Sequence, residues 1–268
     1  LFSDSLVRYR GDLVVNLVIT GLIIAGGLGF FVVRELRDLA LRVWRGEHRR
    51  GGLNRLLGHL TIHTKLALSL TIILLVAAFL AFLALEWRNP RTLGPLGWYE
   101  SMLAAWFAAV TPRTAGFNTL DVGGMTVPAV FLTIVLMFIG ANPGGTGGGV
   151  KTTTFGVTVL ALWATVRGEA EPVVFRRRIA ADVVARAFFI SLLAFLALNL
   201  VTAAVLVVEE QDLMKTLFEV TSAFGTVGMS MGHSGSVLSL AGHFSDAGKL
   251  LLVLMMYLGR VGPLTVAV

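Results

Sequence analysis

Three stretches, residues 13–33, 66–85 and 187–208, contain no Asp, Glu, Lys or Arg and are dominated by apolar residues. Each exceeds the roughly 18 residues that a helix needs to cross about 30 Å of hydrocarbon, so each predicts a membrane-spanning helix. Residues 127–166 carry a single charge, Lys151. As one helix they would reach about 60 Å, twice the hydrocarbon thickness, which predicts a segment that is broken, tilted or extended into water. Residues 250–268 are apolar apart from Arg260. Two shorter apolar segments, Trp98–Val110 and Leu213–Phe224, lie between the spans. At about a dozen residues each they are too short to cross and predict re-entrant helices.

The pattern repeats. The first short segment is followed by Thr114-Ala115-Gly116-Phe117-Asn118 and the second by Thr226-Val227-Gly228-Met229-Ser230. Similar apolar helix ends come next, Leu136-Met137-Phe138-Ile139-Gly140 and Met255-Met256-Tyr257-Leu258-Gly259, with a fainter version in Leu22-Ile23-Ile24-Ala25-Gly26. The unit is a span, a short re-entrant helix, a TxG turn and a second span, recurring after 112 residues (114 to 226) or 119 (140 to 259). Residues 1–33 then read as the end of an earlier unit, 34–65 as a basic connector, 66–166 as one unit, 167–186 as a second connector and 187–268 as the next unit. The chain opens Leu1-Phe2-Ser3-Asp4, with neither Met nor a cleavable signal pattern, and is expected to be the C-terminal part of a longer polypeptide.

Composition agrees with the bilayer as solvent: 56% of residues are AVILMFWYC, 14% are charged, and the mean hydropathy is +0.81. There are no cysteines, so disulfides and thiolate metal sites are excluded. Lys and Arg collect in alternate connectors: eight in 34–65 and five in 167–186, against three in 86–126 and two in 209–249. The positive-inside rule places the first pair on the cytoplasmic side and the second outside. The net charge of +6 therefore reflects topology rather than a nucleic-acid partner, for which the connectors lack aromatic interleaving.

The TxG turns supply candidate chemistry. Non-helical peptide at membrane depth leaves carbonyls unpaired, which is tolerated only where they face protein, water or an ion. Glycine at the third position lets successive carbonyls point to one side, and threonine can add its hydroxyl as an oxygen ligand. The short helix directs its negative C-terminal end toward the same place. For a single copy a plain glycine turn between packed helices is the simpler reading. Recurrence at matching positions favours a cation filter built from Thr114, Ala115, Gly116 and Phe117 with Thr226, Val227, Gly228 and Met229.

The run Asn142-Pro143-Gly144-Gly145-Thr146-Gly147-Gly148-Gly149 holds five glycines and a proline in eight residues, a composition that should not be helical. It is either a loop at the cytoplasmic surface or an intramembrane plug below the filter. Residues 127–139 reach only about 20 Å as helix, which favours the plug. The run also has a superficial likeness to a phosphate-binding loop, but the GxxxxGK[ST] spacing and the preceding strand are missing. Arg260, about ten residues into the last span, is expected to be buried and to contact the glycine run, opposing cations until the run moves. Lys151 reads as either a pore-facing charge or a cytoplasmic anchor. Glu100 and Glu219, in the short helices, could attract cations or bond a filter backbone. His59 and His63, four apart at the start of a span, suit an interfacial role better than a metal site. No nucleophile and base pair suggests an enzyme.

The strings Thr111-Pro112-Arg113-Thr114-Ala115-Gly116-Phe117-Asn118-Thr119, Gly144-Gly145-Thr146-Gly147-Gly148-Gly149-Val150-Lys151-Thr152-Thr153-Thr154 and Thr221-Ser222-Ala223-Phe224-Gly225-Thr226-Val227-Gly228-Met229-Ser230 resemble the Trk/Ktr/HKT superfamily of potassium-translocating membrane subunits, most nearly its bacterial Ktr and Trk members. Gly259-Arg260-Val261-Gly262-Pro263 fits as well. The resemblance implies an all-α membrane protein in which helix–pore helix–helix repeats with broken second helices are arranged as in a potassium channel. On that frame the chain covers the end of repeat two, all of repeat three and nearly all of repeat four, without the first filter segment. It further implies potassium as the transported ion, favoured over sodium by Gly116 and Gly228, and a gate at Gly144, Gly145, Thr146, Gly147, Gly148 and Gly149. The implied setting is multi-pass in the lipid of a bacterial cytoplasmic membrane, as a homodimer. A nucleotide-binding regulatory subunit of the KtrA/TrkA type would dock on the basic connectors. The alternatives are sodium or mixed monovalent cation transport, or a secondary carrier with discontinuous helices. Repeats of like topology favour the pore.

Overall fold

The computed structural model describes residues 5–45, 58, 60–169, 171–175, 177–232 and 239–262. Helix α1, Leu13–Leu28, starts where the Asp12 side chain accepts a hydrogen bond from the Val15 amide at 3.0 Å and stops at Gly29. There the backbone takes φ +86°, and α2, Phe30–Trp44, departs at 105°. The charge-free stretch 13–33 is therefore not one helix. Its hydropathy hides the break because Gly29 is flanked by apolar residues on both sides. Left-handed backbone at Gly29 excludes a side chain, and any Cβ there would overlap the Pro143 carbonyl oxygen.

Among the described residues two helices are long and apolar enough to cross a bilayer alone: α3, Ile62–Glu86, with 25 residues, and α7, Ala181–Glu209, with 29. Both begin earlier than the charge-free stretches, because Lys65, Asp182 and Arg186 fit in their first two turns. Short helices α4, Trp98–Val110, and α8, Leu213–Phe224, follow them. Helix α5, Val127–Phe138, carries Pro128 in its first turn, where a missing amide proton costs nothing. The chain then unwinds until α6, Thr152–Val166. Helix α9, Asp246–Val261, is the last described element, and residues 263–268 fall outside the described part.

The units are visible in the packing. Helix α3 contacts α4, α5 and α6, while α7 contacts α8 and α9, and the α5–α8 and α6–α7 contacts join the two sets. Ala78, Phe82, Ala104, Ala108 and Ala129 form the core of the first set; Leu198, Val220, Phe224, Leu252 and Met255 form that of the second. Val130, Ile134, Met137, Phe218 and Val227 fill the seam. Helix α1 packs on α3 and α4.

Three helix starts are held alike, each by a glutamate that accepts from the backbone amide and hydroxyl of the N-cap residue. Glu35 holds Thr61 before α3 (3.0 and 2.9 Å), Glu86 holds Thr126 before α5 (2.8 and 2.6 Å), and Glu209 holds Ser245 before α9 (3.0 and 2.6 Å). Each satisfies orphan donors and complements the positive end of the helix dipole. A hairpin of β1, Val173–Val174, and β2, Arg177–Arg178, seats buried Val174 against Leu66, Val157 and Ala187. The described parts of both basic connectors thus lie at the end of the molecule where α3 begins.

Candidate functional site

Helix α4 runs to Val110, and the Thr111 amide closes its last turn onto the Phe107 carbonyl at 2.9 Å. Beyond it Thr114 takes φ +64° and Gly116 φ +80°, with Ala115 between them on the ordinary side. Beyond α8 the same happens: Thr226 has φ +50° and Gly228 φ +85°. Left-handed backbone costs a non-glycine residue about 1–2 kcal/mol. Its recurrence at the threonine of both turns marks a built conformation.

The turns are braced from behind. The Ala115 amide bonds the Thr111 carbonyl at 3.2 Å, and the Thr111 hydroxyl donates to the Phe117 carbonyl. In the other turn the Val227 amide bonds the Ser222 carbonyl at 2.8 Å. They also meet each other. The Thr114 hydroxyl donates to the Gly225 carbonyl at 3.1 Å, and the Val227 carbonyl oxygen stands so close to Gly116 that a Cβ there would overlap it. Phe117 is 45% exposed whereas Met229 is buried, so the fourth residues of the two motifs differ in setting.

The glycine run is a partly buried loop, with Gly147, Gly148 and Gly149 buried and Gly144 and Thr146 exposed. Ile139, Ala141, Asn142 and Val150 are buried, and the loop is zipped at its base by the Val150 amide to the Phe138 carbonyl (3.0 Å) and the Gly140 amide to the Val150 carbonyl (2.9 Å). Its apex lies under both turns: the Gly148 amide donates to the Thr226 hydroxyl at 3.2 Å, and a Cβ on Gly147 would stand 2.6 Å from the Thr114 hydroxyl oxygen. On one flank the Asn142 and Thr146 amides bond the carbonyls of Gly27 and Gly26 in α1, at 3.0 and 3.1 Å, and the Gly144 carbonyl accepts from the Phe30 amide at 3.1 Å. On the other, the Gly149 amide bonds the Gly259 carbonyl of α9 at 3.1 Å. Gly145 sits between these contacts, near the Gly26 and Gly27 carbonyls.

Two cations grip the loop. The Lys151 ammonium donates to the Gly147 carbonyl at 2.6 Å, and the Arg260 guanidinium donates to the Thr146 carbonyl. Arg260 is exposed in the last turn of α9 rather than buried, because that helix ends one residue later at Val261. Its contact with the loop is the expected one. Lys151 is half-buried against the apex of the loop.

Other residues resolve differently. Glu100 pairs with Arg10 at 3.6 Å, whereas buried Glu219 accepts from the Ala241 amide at 3.1 Å and from the Ser230 hydroxyl at the end of the second TxG turn. His59 lies outside the described residues. Sequence reasoning passed over Thr71, which links turn and loop: its carbonyl faces buried Arg113 at 3.5 Å and its hydroxyl accepts from Asn142 at 3.1 Å. A threonine within an apolar span gives little sign of such a role, whereas Arg113, a charge beside a TxG turn, was the available signal.

A family profile described as TrkH, cation transport protein, matches residues 1–268. The chain is 39% identical over 265 residues to the Ktr system potassium uptake protein B of Bacillus subtilis, covering 99% of this chain and 55% of that protein. It is 38% identical over 267 residues to its counterpart in Vibrio alginolyticus, covering 100% of this chain and 54% of the relative. To the potassium/sodium uptake protein NtpJ of Enterococcus hirae it is 36% identical, covering 99% and 55%. The crystal structure of the potassium transporter TrkH from Vibrio parahaemolyticus superimposes with a TM-score of 0.72 at 19% identity, over 98% of this chain and 53% of that one. The chain thus spans about half the length of the relatives it matches.

Proposed function

The chain belongs to the TrkH family of cation transport proteins, and on that premise we propose that its two TxG turns line a potassium-selective filter and that residues 144–149, with Lys151 and Arg260, gate the path beneath it. The observation that carries the reading is the apex of the glycine loop, where Gly147 and Gly148 rest against the hydroxyls of both Thr114 and Thr226. An ion leaving a filter at those threonines would meet the loop. Helices α4 and α8 end at the turns, so their negative dipole ends favour a cation there. Lys151 and Arg260, both bonded to loop carbonyls, hold the loop and place positive charge in the path.

The relatives from Bacillus and Vibrio are named for potassium uptake, which supports potassium as the cargo of the full-length protein in a bacterial cytoplasmic membrane. A mixed potassium and sodium path is the second reading, favoured by the Enterococcus relative named for both ions. The basic ends, around α2 and the β-hairpin, suit a regulatory subunit, and the family resemblance favours a homodimer.

The test is Gly228→Ala in the full-length protein. At φ +85° alanine is strained by about 1–2 kcal/mol, enough to shift filter occupancy roughly tenfold. Rubidium uptake in potassium-starved cells should fall accordingly, with normal membrane levels of the protein. Wild-type uptake and an unchanged potassium-to-sodium preference would remove the filter assignment.

A further inference from the structure

Away from the ion path, α6, α7 and the β-hairpin enclose a cavity of about 400 Å³. Its walls are Ala161 and Thr165 of α6, Ala185 and Phe188 of α7, and Pro172 and Ile179 beside the hairpin strands. Small alanines on facing helices leave the space, and two large apolar neighbours at its mouth, Leu162 and Phe188, are 56% and 51% exposed. The cavity therefore opens onto an exposed apolar face of the chain. Its size and apolar lining with few polar groups match those of ligand sites in general.

Basic and aromatic residues stand beside this cavity, whose lining also includes Glu171. The Arg167 guanidinium lies over the Trp163 ring at 4.9 Å. Arg178 pairs with Glu171 at 3.4 Å while its side chain stays 80% exposed, which leaves most of its five donors for another anion. Arg177 is exposed beside it, and Val173 and Phe175 project at 53% and 50% exposure. Arginines next to exposed Trp, Phe and Val are the signature of a membrane–water interface on the cytoplasmic side. A basic pocket between membrane helices at that level suits an anionic headgroup, with the apolar cavity beneath for a chain.

We propose that this groove is a binding site for an anionic phospholipid, one acyl chain lying between α6 and α7 and the phosphate held by Arg167, Arg177 and Arg178. The inference stands apart from the filter and gate, although α6 begins at Thr152, next to Lys151 of the glycine loop. A chain seated against α6 would steady that helix.

The full-length protein, purified in a neutral detergent, is titrated with dioleoyl phosphatidylglycerol or dioleoyl phosphatidylcholine. Retained lipid is counted by native mass spectrometry, and thermal unfolding is followed in parallel. The expected result is saturable retention of phosphatidylglycerol, at least tenfold stronger than of phosphatidylcholine. R177Q/R178Q should abolish the difference, and Ala185→Trp, which fills the groove, should abolish retention while the protein still elutes as folded. Equal retention of the two lipids would reduce the groove to ordinary annular contact and overturn the proposal. So would unchanged phosphatidylglycerol retention by Ala185→Trp, or disulfide cross-linking between copies through cysteine at Leu162, which would show that protein occupies the groove.

Discussion

Replacing Gly259 by alanine sets two effects against each other. In an open helix alanine is favoured over glycine by about 1 kcal/mol. In α9 the added Cβ would land on the Phe224 carbonyl oxygen, with the carbonyl carbon 2.6 Å away, and both atoms are backbone at the end of α8. Relief requires α9 to back away from α8, loosening fully buried Met255 and drawing the Gly259 carbonyl from the Gly149 amide, now 3.1 Å apart. Overpacking a rigid contact costs about 1–3 kcal/mol and the hydrogen bond about 1 more. The propensity gain offsets only part, leaving a net loss of about 1–3 kcal/mol. The control is Gly21→Ala in α1, where nothing lies within 4 Å of the new Cβ and a gain of up to about 1 kcal/mol is expected. Reversible unfolding in mixed micelles, followed by tryptophan fluorescence, measures both. If the two variants stabilise the protein equally, the close approach of α9 to the end of α8 is refuted.

The other predictions concern the glutamates and the loop cations. Glu86→Ala should destabilise by about 2–4 kcal/mol in the same assay, because Thr126, Asn89 and Thr92 all donate to this buried carboxylate; Glu209→Ala, which among the described residues holds Ser245, should cost less. Burial pushes the Glu35 carboxyl up, but hydrogen bonds from Thr61 outweigh it and hold the group below its ordinary range. A lowered folded-state pKa contributes stability above the unfolded value and loses it as pH falls, so amide protection at the start of α3 should drop below about pH 4.3 and be insensitive there in Glu35→Gln. Arg260→Ala removes a charge-assisted bond to Thr146, worth about 1.5–3 kcal/mol, and should raise unstimulated cation flux roughly tenfold or more in reconstituted full-length protein. Unaltered flux would separate Arg260 from the gate.

Much of this architecture is legible in the chain. The short helices were bounded at Trp98–Val110 and Leu213–Phe224, as in the structure, because flanking polar and glycine residues end their apolar runs sharply. Length requires a break in the 40-residue apolar segment, and glycine and proline content puts it at 142–149; the structure unwinds somewhat more, from 139 to 151. Gly29 escaped notice for the opposite reason: hydropathy averages over a lone glycine, and only the Pro143 carbonyl beside it shows why the helix must stop. Pairings across the fold, such as Thr71 with Asn142 and Arg113, join residues 71, 142 and 113, and no local pattern encodes them. Burial of Arg260 was inferred from the absence of later charges, yet the helix ends beside it. Periodicity reports what an element is, whereas contacts between units decide where it stops.

The central claim is a cation path that passes the two TxG turns and is closed by the glycine loop beneath them. Its most direct test is ion flux from liposomes containing the full-length protein, in potassium against sodium, with and without deletion of Gly147, Gly148 and Gly149. The account predicts potassium-preferring flux in the intact protein and greater flux after the deletion. No cation-selective flux, or flux indifferent to the loop, would contradict it.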